Sequence, residues 1–216
     1  MNSTLDICYE DEHLLVVNKP SGVLSQPGRT VDGSIATQIR DAYPLADGPM
    51  LVHRLDMDTS GLMVFAKSRA VHRNLQQQFE HRKITKRYSA ILSKPPIGIG
   101  GNILLPLRLD IDNRPVQIVC AEHGKTATTL WRTIAANAKQ SAIATRVILT
   151  PITGRTHQLR VHTAHPFGLN APIMGDRLYG DRHGEEDGRL MLHADWLGFW
   201  HPVSSMRIQI QCEAPF

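Results

Sequence analysis

The chain has 216 residues, 42% of them apolar and 20% charged, the balance of a soluble globular protein long enough to bury a sizeable core. Lysine and arginine number 24 against 20 aspartates and glutamates, a net charge of +4 with a pI near 9.1, which suits an anionic partner. No run approaches the roughly 18 apolar residues of a membrane span, and the first six residues lack a basic segment and an apolar core, so neither a span nor a signal peptide is expected.

Leu5-Asp6-Ile7-Cys8-Tyr9 and Leu14-Leu15-Val16-Val17 flank the polar turn Glu10-Asp11-Glu12-His13 and read as a β-hairpin. The second strand runs into Asn18-Lys19-Pro20-Ser21-Gly22, where Pro20 and Gly22 mark a turn and Lys19 is expected to be solvated. Ser25-Gln26-Pro27-Gly28-Arg29 is loop-like. Residues 34–43 carry Ile35, Ile39 and Ala42 at helical spacing and end at Pro44.

The chain then reaches His53-Arg54-Leu55-Asp56-Met57-Asp58-Thr59-Ser60-Gly61, a polar run just before the apolar stretch Leu62-Met63-Val64-Phe65-Ala66. A carboxylate and a guanidinium in a turn that opens onto a buried strand are held on a scaffold, which makes Asp56 a candidate catalytic residue. Ordinary turn chemistry explains Asp-x-Thr-Ser-Gly equally well, because Asp and Ser bond nearby backbone N–H groups and Gly accepts positive φ. Asp56 and Asp58 could also be the acid/base pair of a glycoside hydrolase, although an i, i+2 pair in one turn rarely brackets a substrate.

Residues 69–81 read as a surface helix with Ala70, Leu75 and Phe79 inward and Arg73, Gln76, Gln77 and Glu80 toward solvent. Arg82, Lys83, Lys86 and Arg87 follow. This is either a solvated charge run or a phosphate contact, and its place immediately before Tyr88 favours the contact. Tyr88 to Leu92 read as a strand, where a tyrosine ordinarily serves core packing. Pro95-Pro96-Ile97-Gly98-Ile99-Gly100-Gly101 could separate two lobes of one domain, and residues 101–119 look like short strands and turns, with Asn113-Arg114-Pro115 as punctuation.

Two alternating runs, residues 126–134 and 142–150, are expected to pair antiparallel across a turn at 135–141. A helix is expected after Thr153-Gly154, with Arg155 at its start and Pro166 as its stop. His157, His162 and His165 invite a metal reading, but their spacing completes no recognised ligand pattern and no metal is expected. Residues 181–189 read as a polar loop. Residues 190–194 and 206–212 read as closing strands, with Trp196, Phe199 and Trp200 either core or RNA-facing, core being the default for such residues. Cys8, Cys120 and Cys212 are odd in number and far apart, which suits reduced thiols and a cytoplasmic location. The hairpins and alternating runs predict an α+β fold with a largely antiparallel mixed sheet and helices packed on it.

The run from His53 to Gly61 resembles the signature of the RluA family of RNA pseudouridine synthases. Val17-Asn18-Lys19-Pro20-Ser21-Gly22, Lys86-Arg87-Tyr88-Ser89-Ala90 and Thr153-Gly154-Arg155-Thr156-His157-Gln158-Leu159-Arg160 match further family blocks in the same order. The resemblance implies a single pseudouridine synthase domain over residues 1–216, without the S4 RNA-binding module of several members, and with a central catalytic cleft. It implies an isomerase that needs no cofactor: the N-glycosidic bond of a uridine is broken, the uracil rotates while bound, and it rejoins through carbon.

In the family's terms Asp56 is the catalytic aspartate, acting on the ribose as nucleophile at the anomeric carbon or as base at the adjacent one. Tyr88 is the tyrosine that stacks on the target base, Arg155 the arginine that ion-pairs with the aspartate, and Arg54 the residue that fills the space a flipped base vacates. The block around Lys19 helps build the site floor. The short form, with Asn18 to Arg29 and Asn113-Arg114-Pro115, resembles members with a dual substrate, 23S ribosomal RNA and the anticodon arm of certain transfer RNAs. RNA rather than DNA or membrane is therefore the expected partner, and monomer the expected state. An RNA-binding module without turnover is the alternative.

Overall fold

The computed structural model describes residues 5–28, 33–134, 145–180 and 188–216. In chain order its elements are β1 (Ile7–Glu10), β2 (Leu14–Lys19), α1 (Ile35–Ala42), β3 (Ser60–Ala66), α2 (Arg69–Glu80) and β4 (Thr85–Leu92). There follow β5 (Gly100–Leu104), β6 (Leu107–Leu109), β7 (Gln117–Val119), β8 (Thr128–Thr133) and β9 (Thr145–Pro151). The last are α3 (Gln158–Ala164), β10 (Leu192–Trp200) and β11 (Arg207–Gln211). They fall into two units: Met1–Lys86 with His193–Pro215, and Arg87–Leu192 with Phe216. The chain crosses between them within β4 and at the start of β10, so the Pro95 to Gly101 stretch lies inside the second unit.

In the first unit β2 pairs antiparallel with both β1 and β3, and β11 antiparallel with β10. Leu14, Leu15, Val16 and Val17 are all fully buried, which explains why β2 reads as a continuous apolar run rather than an alternating one. β3 meets the start of β10 in parallel, with Ser60 opposite His193 and Gly61 opposite Ala194. Gly61 has φ +117°, and a Cβ there would lie 2.4 Å from the Ala194 carbonyl oxygen. Glycine is therefore required both for the backbone conformation and for the close approach.

Ser34 caps α1 by accepting from the Thr37 N–H, and Ser68 caps α2 in the same way from Val71. α2 buries Val71, Leu75 and Gln78. Ala70, expected inward, is exposed and Phe79 is half-buried, because positions 71, 75 and 78 follow the helical period more closely than 70, 75 and 79. Val71 and Leu75 join Leu14, Val16, Leu62, Val64, Leu197 and Phe199 in the core of this unit.

In the second unit β4 pairs with β9, β9 with β8 and β8 with β5, all antiparallel, and β6 and β7 form a separate antiparallel pair. The two alternating runs pair as expected, Trp131 opposite Leu149, although residues 135–144 lie outside the described part. The loop expected at 181–189 lies outside it as far as residue 187. Ala90, Leu92, Val147, Leu149, Leu159 and Ile173 are among the residues of this unit's core.

Within each unit the pairing is antiparallel apart from β3 with β10. With three helices among the described residues, the fold is α+β. No helix among the described residues is long and apolar enough to cross a membrane.

Candidate active site

Asp56 lies in a turn closed by the Thr59 N–H donating to the Asp56 carbonyl at 3.1 Å, just ahead of β3. The backbone on either side of it is held from the Lys19 to Ser25 segment. Ser25 Oγ donates to the Leu55 carbonyl at 2.6 Å and accepts from the Leu55 N–H at 3.0 Å. Beyond Asp56, the Met57 carbonyl accepts from the Gly22 N–H at 3.0 Å and from Lys19 Nζ at 2.9 Å, and the Asp58 carbonyl accepts from Ser21 Oγ at 2.6 Å. Leu55, Thr59 and Ser60 are buried and Asp56 and Asp58 half-buried, so the side chain of Asp56 is presented from a backbone fixed on both sides.

Lys19 corrects the expectation of a solvated side chain. It is fully buried, and its ammonium donates to the carbonyls of Pro20 and Val23, each at 2.8 Å, as well as to that of Met57. Several carbonyl dipoles converging on one ammonium compensate its loss of water. A signal for this was present: Leu15, Val17 and Lys19 share one face of a period-2 strand, and that face is buried.

His53 opens the same run and serves the scaffold. Its Nε2 accepts from the Val64 N–H of β3 at 3.1 Å, and its ring lies 4.7 Å from that of Phe79. Burial, and then the positive charge of Lys86, push His53 from 6.5 down to about 3, so it stays neutral and keeps this acceptor. The Lys86 ammonium sits 5.7 Å from the Phe79 ring, and burial holds it below lysine's ordinary value. The basic run is thus not one patch: Arg82 and Lys83 are exposed, whereas Lys86 is turned into the structure. Arg54 is exposed on the loop that carries Asp56.

Tyr88 and Arg155 belong to the second unit. Tyr88 is half-buried on β4, opposite Leu149 of β9 and packed against the core. Arg155 is exposed in the loop after β9, and its Nε donates to the Thr126 carbonyl at 3.1 Å.

The helix starts at Gln158 rather than directly after Gly154, because the side chain of Gln158 holds the preceding loop open. Its Oε1 accepts from the Arg155 N–H at 3.0 Å and from Thr153 Oγ1 at 2.7 Å, and its Nε2 donates to the Thr128 carbonyl and Thr129 Oγ1. His157, at φ +52°, turns the chain into the helix.

The three histidines of this segment do not converge. His157 Nδ1 is 2.7 Å from the Tyr179 hydroxyl, His162 Nε2 donates to the Leu105 carbonyl, and His165 Nδ1 accepts from the Phe167 N–H. Among the described residues no group of three or more His, Cys, Asp or Glu could hold a metal ion.

The pattern of the RNA pseudouridylate synthase family matches residues 13–165, a span that includes the Lys19 clamp, the Asp56 turn, Tyr88 and Arg155. The chain belongs to that family. It is 43% identical over 215 residues to the dual-specificity RNA pseudouridine synthase RluA of Escherichia coli strain K12, covering 98% of this chain and 94% of the relative. Its fold is similar to that of human RNA Pseudouridylate Synthase Domain Containing 1, with TM-score 0.82 and 28% identity over 100% of this chain and 86% of that one. A second human structure, RNA Pseudouridylate Synthase Domain Containing 4, gives TM-score 0.75 and 25% identity over 97% and 88%. This pseudouridine synthase is accordingly an isomerase acting on uridines of RNA, and the hydrolase and binding-module alternatives are not favoured.

Proposed function

We propose that this pseudouridine synthase modifies both 23S ribosomal RNA and the anticodon arm of transfer RNA, with Asp56 as the catalytic residue on a flipped-out uridine. The observation that carries the assignment of Asp56 is the clamp around it, in which Lys19, Ser21, Gly22 and Ser25 hold the peptides before and after one half-buried carboxylate. A carboxylate that must meet the ribose at one point benefits from a backbone with no freedom to move.

The carboxylate of Asp56 acts on the ribose as the N1 glycosidic bond breaks. The detached uracil turns and rejoins through C5, whose hydrogen leaves as a proton while N1 gains one, so nothing is oxidised and no group is donated. Leaving the helical stack costs the uridine a few kcal/mol, less in a loop. Tyr88 offers an aromatic face to the base, Arg54 fills the vacated space, and Arg155 orients the carboxylate. The dual specificity of the 43%-identical relative, as its name has it, supports the paired substrates. The monomer and the cytoplasm are the state and compartment that go with this reading.

Tritium release from RNA labelled at uracil C5 tests it, on 23S ribosomal RNA and on transfer RNA separately. Wild type releases tritium from both, and Asp56→Asn loses roughly a thousandfold or more of the rate while still binding RNA. Release from one RNA alone overturns the dual substrate, and release that survives Asp56→Asn overturns the catalytic assignment.

A further inference from the structure

The first unit carries an exposed tryptophan that the core does not use. Trp200, for which core was the default and an RNA-facing place the alternative, ends β10 with 48% of its surface open, next to fully buried Phe199. Its backbone is held on both sides by one side chain of α2: Gln78 Nε2 donates to the Trp200 carbonyl at 2.7 Å, and Gln78 Oε1 accepts from the Trp200 N–H at 2.9 Å. Gln78 is buried, and its own carbonyl accepts from the Lys83 N–H at 2.8 Å. One residue therefore anchors both the tryptophan and the basic turn.

That turn is stiff and positively charged. Arg82 has φ +55° and donates its N–H to the Phe79 carbonyl, and Arg82 and Lys83 are both exposed. Arg207 of β11 closes the arrangement. Its Nη1 donates to the Lys83 carbonyl at 3.3 Å and its Nη2 to Thr85 Oγ1 at 2.8 Å, and its guanidinium carbon lies 5.5 Å from the centroid of the Trp200 ring. Glu80, exposed at the end of α2, carries the opposite charge two residues before Arg82.

We infer that Trp200, Arg207, Arg82 and Lys83 form a contact surface for the substrate RNA, in which an unpaired base stacks on the Trp200 ring and Arg82 and Lys83 hold the adjoining phosphates. An aromatic face beside clustered cations is the combination that binds a single strand without reading its sequence. Pre-arrangement by Gln78 and Arg207 spares the ordering cost that a mobile tryptophan would add. The surface rests on RNA being the substrate, and not on which residue performs the chemistry.

The test measures KM and kcat for tritium release from both RNAs, with the full-length protein and Trp200→Ala, Trp200→Phe and Arg82→Gln/Lys83→Gln. Trp200→Ala raises KM about 5- to 100-fold, the range seen when a stacking aromatic is removed, while kcat at saturating RNA stays close to wild type. Trp200→Phe, which keeps a smaller ring, falls between the two, and its intrinsic fluorescence is quenched less by RNA than that of wild type. The charge-deleted double variant raises KM without any change at Trp200.

Unchanged KM for both RNAs in Trp200→Ala, with wild-type turnover intact, overturns the surface and leaves Trp200 to the exposed Val203 and Met206 beside it as a protein-facing patch. If Trp200→Ala does not fold, Trp200→Phe and the double variant decide by the same KM criterion. A wild type that releases no tritium fails the functional reading instead, so the two failures are distinguishable.

Discussion

His162 shows how far burial governs a single ionisable side chain. It is fully buried, its Nε2–H donates to the Leu105 carbonyl at 3.2 Å, and burial pushes it from 6.5 down to about 4. Because the folded value lies below the unfolded one, the unfolded chain takes up this proton first as pH falls. Stability is therefore complete above about pH 6.5 and is lost as pH drops toward about 4, at no more than ~1.4 kcal/mol per pH unit for this residue. Urea midpoints measured between pH 7.5 and 4.5 should shift with that sign, and His162→Gln, which keeps a donor toward Leu105, should flatten the slope. A residual slope of the same sign remains from His53, displaced in the same direction. A variant as pH-sensitive as wild type would exclude His162 as a source. Neither histidine betrayed its state in the sequence, where His53 was only a motif letter and His162 a candidate ligand; what makes each neutral is the set of non-local side chains around it.

α3 is held to its unit by an ion pair that its helical pattern does not reveal. Arg160 Nε donates to Asp176 Oδ2 at 2.8 Å and Arg160 Nη2 to Oδ1 at 2.7 Å, with the side chains 3% and 0% exposed. Asp176 Oδ1 also accepts from the N–H groups of Leu178 and Tyr179, so one carboxylate ties the helix to the turn that follows Gly175. Asp176→Asn keeps the shape but leaves a buried guanidinium without its counter-charge, and should cost about 3–5 kcal/mol in urea unfolding. A loss under 1 kcal/mol would mean that the pair is not the anchor. Arg160 stood in one of the family blocks of the sequence; its partnership with Asp176 was not legible there, because periodicity reports which face of a helix is apolar and not which distant carboxylate meets it.

Across the whole molecule, the excess of four positive charges matters through placement. Lys19 is buried, Lys86 is half-buried against Phe79 and Arg160 is neutralised by Asp176, whereas Arg82 and Lys83 remain at the surface. Each phosphate contact contributes a slope of about 0.7 in a plot of log affinity against log salt for a single strand. Arg82→Gln/Lys83→Gln should therefore lower the salt slope of KM for RNA by about 1.4, measured by initial rates of tritium release at increasing potassium chloride. An unaltered slope would remove both residues from the RNA contact.

The order and type of most elements were legible in the chain itself. The hairpin of β1 and β2, the place of α1 before Pro44, the length of α2 and the pairing of β8 with β9 follow from local periodicity and turn chemistry, which act over a few residues. So were the family blocks, and with them the turn that carries Asp56. Only the tertiary structure decided that Lys19 is a buried clamp, that α3 begins at Gln158, that Lys86 leaves the basic run, and that Trp200 faces solvent. Three of these depend on a partner far away in sequence: Met57 for Lys19, Thr128 for Gln158, Gln78 for Trp200 at 122 residues' distance. A side chain's burial is set by whichever distant backbone folds over it, and a pattern read along the chain carries no record of that neighbour.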